Sequence, residues 1–165
     1  MDIAKRFFEN PLLEPADITA SRTDFEVVSI LNPGVFTFNN KIWLLLRVAE
    51  RPIQLENMLS TAIVGANGDV EIVSFDKEDS HLDTSDPRVI SYEERSYLTT
   101  LSHFRLLCSV NGIDFNEVDG FCPIKGQGQL EEYGIEDGRV AFFDSRYHLT
   151  YTQVSKSGVG VGYMY

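Results

Sequence analysis

The chain has 165 residues, with 25 acidic side chains against 14 Lys and Arg and a formal net charge of -11. So acidic a surface repels phosphate backbones and anionic lipid, which argues against nucleic-acid binding and membrane docking. The length and a 43% apolar content suit one ordinary domain with a packed core. No apolar run approaches the roughly 18 residues that span a bilayer; the longest is Ile42-Trp43-Leu44-Leu45-Leu46. No secretory signal is visible at the N-terminus. Cys108 and Cys122 are too few for a disulfide framework, so a reduced, cytoplasmic setting is the default expectation.

In chain order, residues 3–8 read as one or two helical turns ahead of Pro11, inside an N-terminal segment 1–24. From residue 25 onward the texture is β: short runs of Val, Ile, Phe and Tyr broken by Gly, Asn and Asp. Residues 26–31 form one run. Residues 34–38 and 41–47 flank Asn39-Asn40 and predict a hairpin, because Asn tolerates the positive φ of a tight two-residue turn. Ala66-Asn67-Gly68-Asp69 is a second turn, leading into alternating residues 70–75, and Val110-Asn111-Gly112-Ile113 is a third.

An internal repeat is the most informative feature. Asp86-Pro87-Arg88-Val89 recurs 51 residues later as Asp137-Gly138-Arg139-Val140, and the same offset carries Leu98-Thr99 onto Leu149-Thr150. A weaker copy lies 54 residues earlier, where Val35 precedes Val89 and Leu44 precedes Leu98. A period near 50 with several short strands per unit is the pattern of a β-propeller blade. Three such units nearly fill residues 25–165, whereas propellers run from about 4 to 8 blades. The expectation is therefore an all-β partial propeller, the N-terminal part of a longer protein. A complete small all-β domain is the alternative. A partial ring leaves an edge uncovered, so self-association as a homo-oligomer is also expected.

Asp and Arg recur at the start of the repeated hairpins, as Asp86/Arg88 and Asp137/Arg139. Residues i and i+2 of a strand share a face, so each pair presents a carboxylate beside a guanidinium. Such pairs either line a channel or clamp adjacent blades as structural ion pairs.

The ordered set Asn32-Pro33-Gly34-Val35, Leu44-Leu45-Leu46-Arg47-Val48-Ala49, Gly134-Ile135-Glu136-Asp137-Gly138-Arg139-Val140 and Tyr147-x-Leu149-Thr150-Tyr151-Thr152 strongly resembles glycoside hydrolase family 130. Ser109-Val110-Asn111-Gly112 also fits a Ser-x-Asp-Gly element of that family, with Asn111 in place of Asp. The resemblance implies a five-bladed propeller, present here as about three blades, that cleaves β-mannosidic linkages with inversion. It implies Asp137 as general acid, its proton reaching the glycosidic oxygen through a substrate hydroxyl. It also implies Asn32 and Arg47 as ligands of the sugar at the cleavage point; Arg139 and Tyr151, on the Asp137 hairpin, and the repeated pair Asp86 and Arg88 are further substrate-binding candidates. A blade-to-blade ion pair is the competing role for Arg47.

A general acid must be protonated when substrate is bound, although free Asp has a pKa near 3.9. Glu136 would raise that value and Arg139 would lower it. Gly138 stands where the family has Pro, which loosens the backbone beside Asp137. The intact Asp-Pro-Arg lies at Asp86-Pro87-Arg88, so Asp86 is a second candidate for the acid.

The resemblance implies no cofactor and no metal, with inorganic phosphate as co-substrate and mannose 1-phosphate as product if the protein is a phosphorylase. An oligosaccharide is the expected partner. His81, His103 and His148 show no metal-ligand spacing. Ser102-His103 lacks support as a nucleophile pair, and Trp43, in an apolar strand, is expected in the core. A β-mannoside hydrolase of the same fold, another five-bladed glycosidase and a non-catalytic binding propeller remain the alternatives.

Overall fold

A computed structural model describes residues 3–165. Among them, β1 (Phe25–Phe38) and β2 (Lys41–Pro52) form one long antiparallel hairpin, and β3 (Met58–Val64) pairs with β4 (Val70–Asp76). A three-stranded sheet follows from β5 (Leu82–Asp83), β6 (Val89–Tyr92) and β7 (Arg95–Leu98). The chain then returns: β8 (Leu101–Ser109) lies against β2, with the short β9 (Asn116–Glu117) outside it. The last sheet is β10 (Ile135–Phe143), β11 (Arg146–Ser155) and β12 (Gly158–Met164).

The described residues 3–8 hold no helix; two single 3-10 turns, at Pro15–Asp17 and Gln129–Glu131, are the helical elements. Six residues are too few to repay helix nucleation in water, and Phe7 and Phe8 stay exposed, so no packed face supports one.

The repeat is physical. Val35 faces Leu44, Val89 faces Leu98 and Val140 faces Leu149, so the three hairpins share one register. Each closes through a two-residue turn. Asn39 (φ +49) and Asn40 (φ +57) make the first, Glu93 (φ +53) begins the second, and Asp144 (φ +51) and Ser145 (φ +61) make the third. Positive φ at the turn centre matches the twist of the flanking strands.

The β2–β8 pairing departs from a consecutive order of sheets. β2 is covered on both faces, which explains its unbroken apolar run. Leu44, Leu46 and Val48 point one way, into a cluster with Leu107 and with Ile18 of the N-terminal segment. Leu45 points the other way, into a second cluster with Phe104, Ile135, Leu149 and Tyr151. Alternation puts Arg47 on the Leu45 face, at the seam between the first sheet and the β10 sheet. Ser21 fastens the N-terminal segment to the same strand, donating its backbone N–H and hydroxyl to the buried Glu50 at 2.8 and 2.5 Å. Trp43 is half-buried rather than central, stacked near Phe36 and donating Nε1–H to the Phe38 carbonyl at 2.9 Å. Both cysteines are free thiols.

Candidate active site

Two of the repeated hairpins carry a bulge at the same place. In β1, Leu31 faces Arg47 and Gly34 faces Leu45, so Asn32 and Pro33 together oppose Leu46. In β10, Glu136 faces Thr152 and Arg139 faces Thr150, so Asp137 and Gly138 together oppose Tyr151. An extra residue breaks the ladder and re-aims a side chain. Asp137 shows this most, with φ +53 in the left-handed region that costs a non-glycine residue energy.

The bulges meet across the seam. Asn32 Nδ2 donates to Asp137 Oδ1 at 2.7 Å, and Arg47 Nη1 donates to the same oxygen at 3.0 Å. Arg47 Nη2 pairs with Glu136 Oε1 at 2.5 Å, and Arg47 Nε donates to Ser102 Oγ at 3.1 Å. The approach demands small residues. A Cβ on Gly34 would stand 3.0 Å from the Gly138 carbonyl oxygen, and one on Gly138 would stand 3.0 Å from the Phe104 ring. Gly138 is buried and closely packed, so it fits the seam rather than loosening the chain beside Asp137.

The two adjacent carboxyls are driven apart. The Asn32 amide first, opposed by partial burial and then helped by the Arg47 charge and hydrogen bond and by Arg139, holds Asp137 below the usual carboxylate range. Burial pushes Glu136 upward against the pull of Arg47, and the Asp137 charge adds to the rise. The contest between Glu136 and Arg139 over Asp137 thus goes to the donors, among which Asn32 counts most.

Three of the sequence candidates, Asn32, Arg47 and Asp137, therefore converge. Arg88 lies close by, since it lines one open cleft together with Arg47, Glu136, Ser29 and Thr100. Asp86 holds Arg88 through two contacts at 2.9 and 3.1 Å, and that hydrogen bond keeps Asp86 in its ionised form. Among the described residues, the side-chain hydrogen bonds of Asp86 all go to Arg88 and none to the cluster around Asp137. Arg139 is exposed and donates to the Gly138 carbonyl.

Tyr151 is turned toward the core. It is buried in the second core cluster, and its hydroxyl donates to Glu131 at 2.7 Å. Burial and that carboxylate push its phenol up to about 12. The alternation of β11 turns Tyr151 inward, onto the same face as Leu149 and into that cluster. Sequence reasoning missed Ser102 as a partner of Arg47 and gave Glu136 a role only through its charge. No spacing reports Ser102, because its contact crosses from β8 to β2 and exists only once those strands pair.

Fold and cluster define a class: an all-β scaffold with bulged hairpins and a carboxylate-centred polar seam. Known proteins narrow it further. No family model matches the chain. A β-1,2-mannobiose phosphorylase of Listeria innocua serovar 6a is 36% identical over 162 aligned positions, covering 93% of this chain and 45% of the relative. The structure of the Listeria innocua β-1,2-mannobiose phosphorylase in complex with β-1,2-mannobiose matches with a TM-score of 0.86 at 34% identity. That match covers 96% of this chain and 46% of the other. The chain is thus a homologue of that phosphorylase, and it spans about half the length of the curated relative it matches.

Proposed function

We propose that the protein is a propeller-type glycoside phosphorylase that cleaves β-mannosidic linkages with inversion, β-1,2-mannobiose being the substrate to test first. The observation that carries this reading is the convergence of Asn32 and Arg47, both on the first sheet, on Asp137 across the seam, in a chain homologous to such an enzyme. An amide and a guanidinium with paired donors suit adjacent sugar hydroxyls. Arg88, its side chain 84% exposed and anchored by Asp86, offers a further cation to a substrate oxygen in the same cleft.

In the free protein Asp137 is held ionised. Sugar hydroxyls that take over the donors of Asn32 and Arg47 remove the groups that keep its proton off. Asp137 then takes up a proton from solvent and passes it, through a substrate hydroxyl, to the departing glycosidic oxygen. Phosphate attacks the anomeric carbon from the opposite face, which inverts its configuration. Residues 25–165 are read as part of the catalytic propeller and 1–24 as the segment fastened to it by Ile18 and Ser21.

The test is turnover of β-1,2-mannobiose by the full-length protein, with and without inorganic phosphate. Phosphate-dependent release of a mannose 1-phosphate and a mannose supports the proposal. Phosphate-independent release of two mannoses makes the protein a hydrolase, and binding without turnover makes it a binding propeller.

A further inference from the structure

We propose that Ser102 is a positioning residue that fixes the angle of the Arg47 guanidinium and so aims its other two nitrogens at Asp137 and Glu136, where the sugar binds. The inference rests on the reading of Arg47 as a substrate ligand. A guanidinium is a rigid planar fork, but the chain behind it turns freely. A bond at Nε sets the plane of the whole fork. Here Nε–H donates to Ser102 Oγ at 3.1 Å, while Nη1 and Nη2 reach Asp137 and Glu136 at 3.0 and 2.5 Å.

Ser102 is well placed to act as a fixed reference. It is 1% exposed and sits at the start of β8, opposite Ala49 and one pleat away from the partner of Arg47, Phe104. It also bridges in parallel fashion to Gly134, just before β10. Gly134 has φ +92, and a Cβ there would run into the Ser102 backbone, so only glycine lets the two segments touch. Ser102 is thus held by the first sheet and by the entrance to the strand that carries Glu136 and Asp137. Its hydroxyl acts on both partners of the ion pair, since it also draws Glu136 toward the ionised form. Without it, a half-buried Nε–H loses its acceptor and the fork is free to swing.

The experiment compares the wild-type full-length protein with Ser102→Ala, Glu136→Gln and the double variant. The Arg47 Nε–H resonance should be resolved and slow to exchange in an arginine-selective NMR spectrum. In Ser102→Ala it should broaden or exchange quickly while the backbone amide spectrum keeps its pattern. On β-1,2-mannobiose, kcat/KM per folded molecule should fall about tenfold, the scale of one lost buried hydrogen bond. The double variant should lose less than the product of the single losses, because both act through Arg47. An unchanged Arg47 signal in Ser102→Ala overturns the positioning role whatever the activity. So does a variant that only melts earlier while kcat/KM holds, or a double variant whose losses multiply. If wild-type protein turns over no mannoside and the Arg47 signal still depends on Ser102, the substrate reading fails and the anchoring of Arg47 stands. If Ser102→Ala does not fold, Ser102→Cys carries the same predictions, since sulfur is a poor acceptor in nearly the same volume.

Discussion

At the scale of single residues, the seam sets two neighbouring carboxyls in opposition. Asp137 is proposed to handle the proton, so Asp137→Asn in the full-length protein should keep the fold and lower mannoside turnover by about 10²-fold or more. Aryl mannosides with activated leaving groups should suffer much less. Asp86→Asn should change turnover little, because Asp86 reaches the cleft only through Arg88. The same pair makes a pH signature. Asp137 is depressed in the folded state, so its stabilisation is present above the unfolded pKa near 4 and lost as pH falls through the folded value. Glu136 is raised, so the folded state keeps its proton longer and loses stability as pH climbs through the acid range. Melting curves between pH 3 and 6 should therefore show a shallower acid loss in Asp137→Asn and a steeper one in Glu136→Gln. Identical slopes in wild type and both variants would remove this account. Tyr151→Phe belongs to stability: it strips a donor from buried Glu131 and should lower Tm while leaving KM unchanged.

At the scale of elements, the hairpins were legible because their signals are local. The 51 and 54 spacings marked Val35, Val89 and Val140, and each proved to head a hairpin in the same register. Asn39-Asn40 announced its turn through a residue type that tolerates positive φ, whereas Asp144-Ser145 makes the same turn without so clear a mark. That difference gives a prediction. Ser145 at φ +61 bears a steric cost that glycine does not, so Ser145→Gly should stabilise the protein by about 0.5–1 kcal/mol in denaturant unfolding. The opposite holds at Gly162. It faces Tyr151 across the β11–β12 ladder, and a Cβ there would overlap the tyrosine ring. Gly162→Ala should cost about 1–3 kcal/mol through overpacking. The inward turn of Tyr151 was hidden for a related reason: its place on the Asp137 hairpin does not say which face of β11 the core claims.

At the scale of the whole molecule, what the sequence hid is long-range. Nothing near residue 47 or residue 102 says that β2 and β8 pair, since the pairing is decided by shared burial of Leu44, Leu46 and Leu107 rather than by a local motif. The same junction hides His103. Burial pushes its imidazole down to about 3, helped by the charges of Arg105 and Lys125, and Glu50 Oε1 is 4.0 Å away. A neutral buried histidine must take up a proton on unfolding, so stability should decline as pH falls below about 6.5. His103→Leu should flatten that decline in thermal melts, and an unaltered slope would contradict it. At the far end, β12 is an edge strand with Val159 and Val161 exposed. If the chain self-associates in sedimentation through this edge, Val161→Lys should reduce it with little change in Tm, and unchanged association would assign it elsewhere.

The return of β8 to β2 also orders events in time. The three hairpins close over a few residues each, on the microsecond scale of local structure. The β2–β8 ladder must wait for a loop of roughly fifty residues to shut, with the entropic toll that distance imposes. Arg47 and Ser102 stand on opposite sides of that ladder. Refolding should recover β-sheet signal by circular dichroism first and the slow exchange of the Arg47 Nε–H later, so the protein regains its shape before it regains its grip.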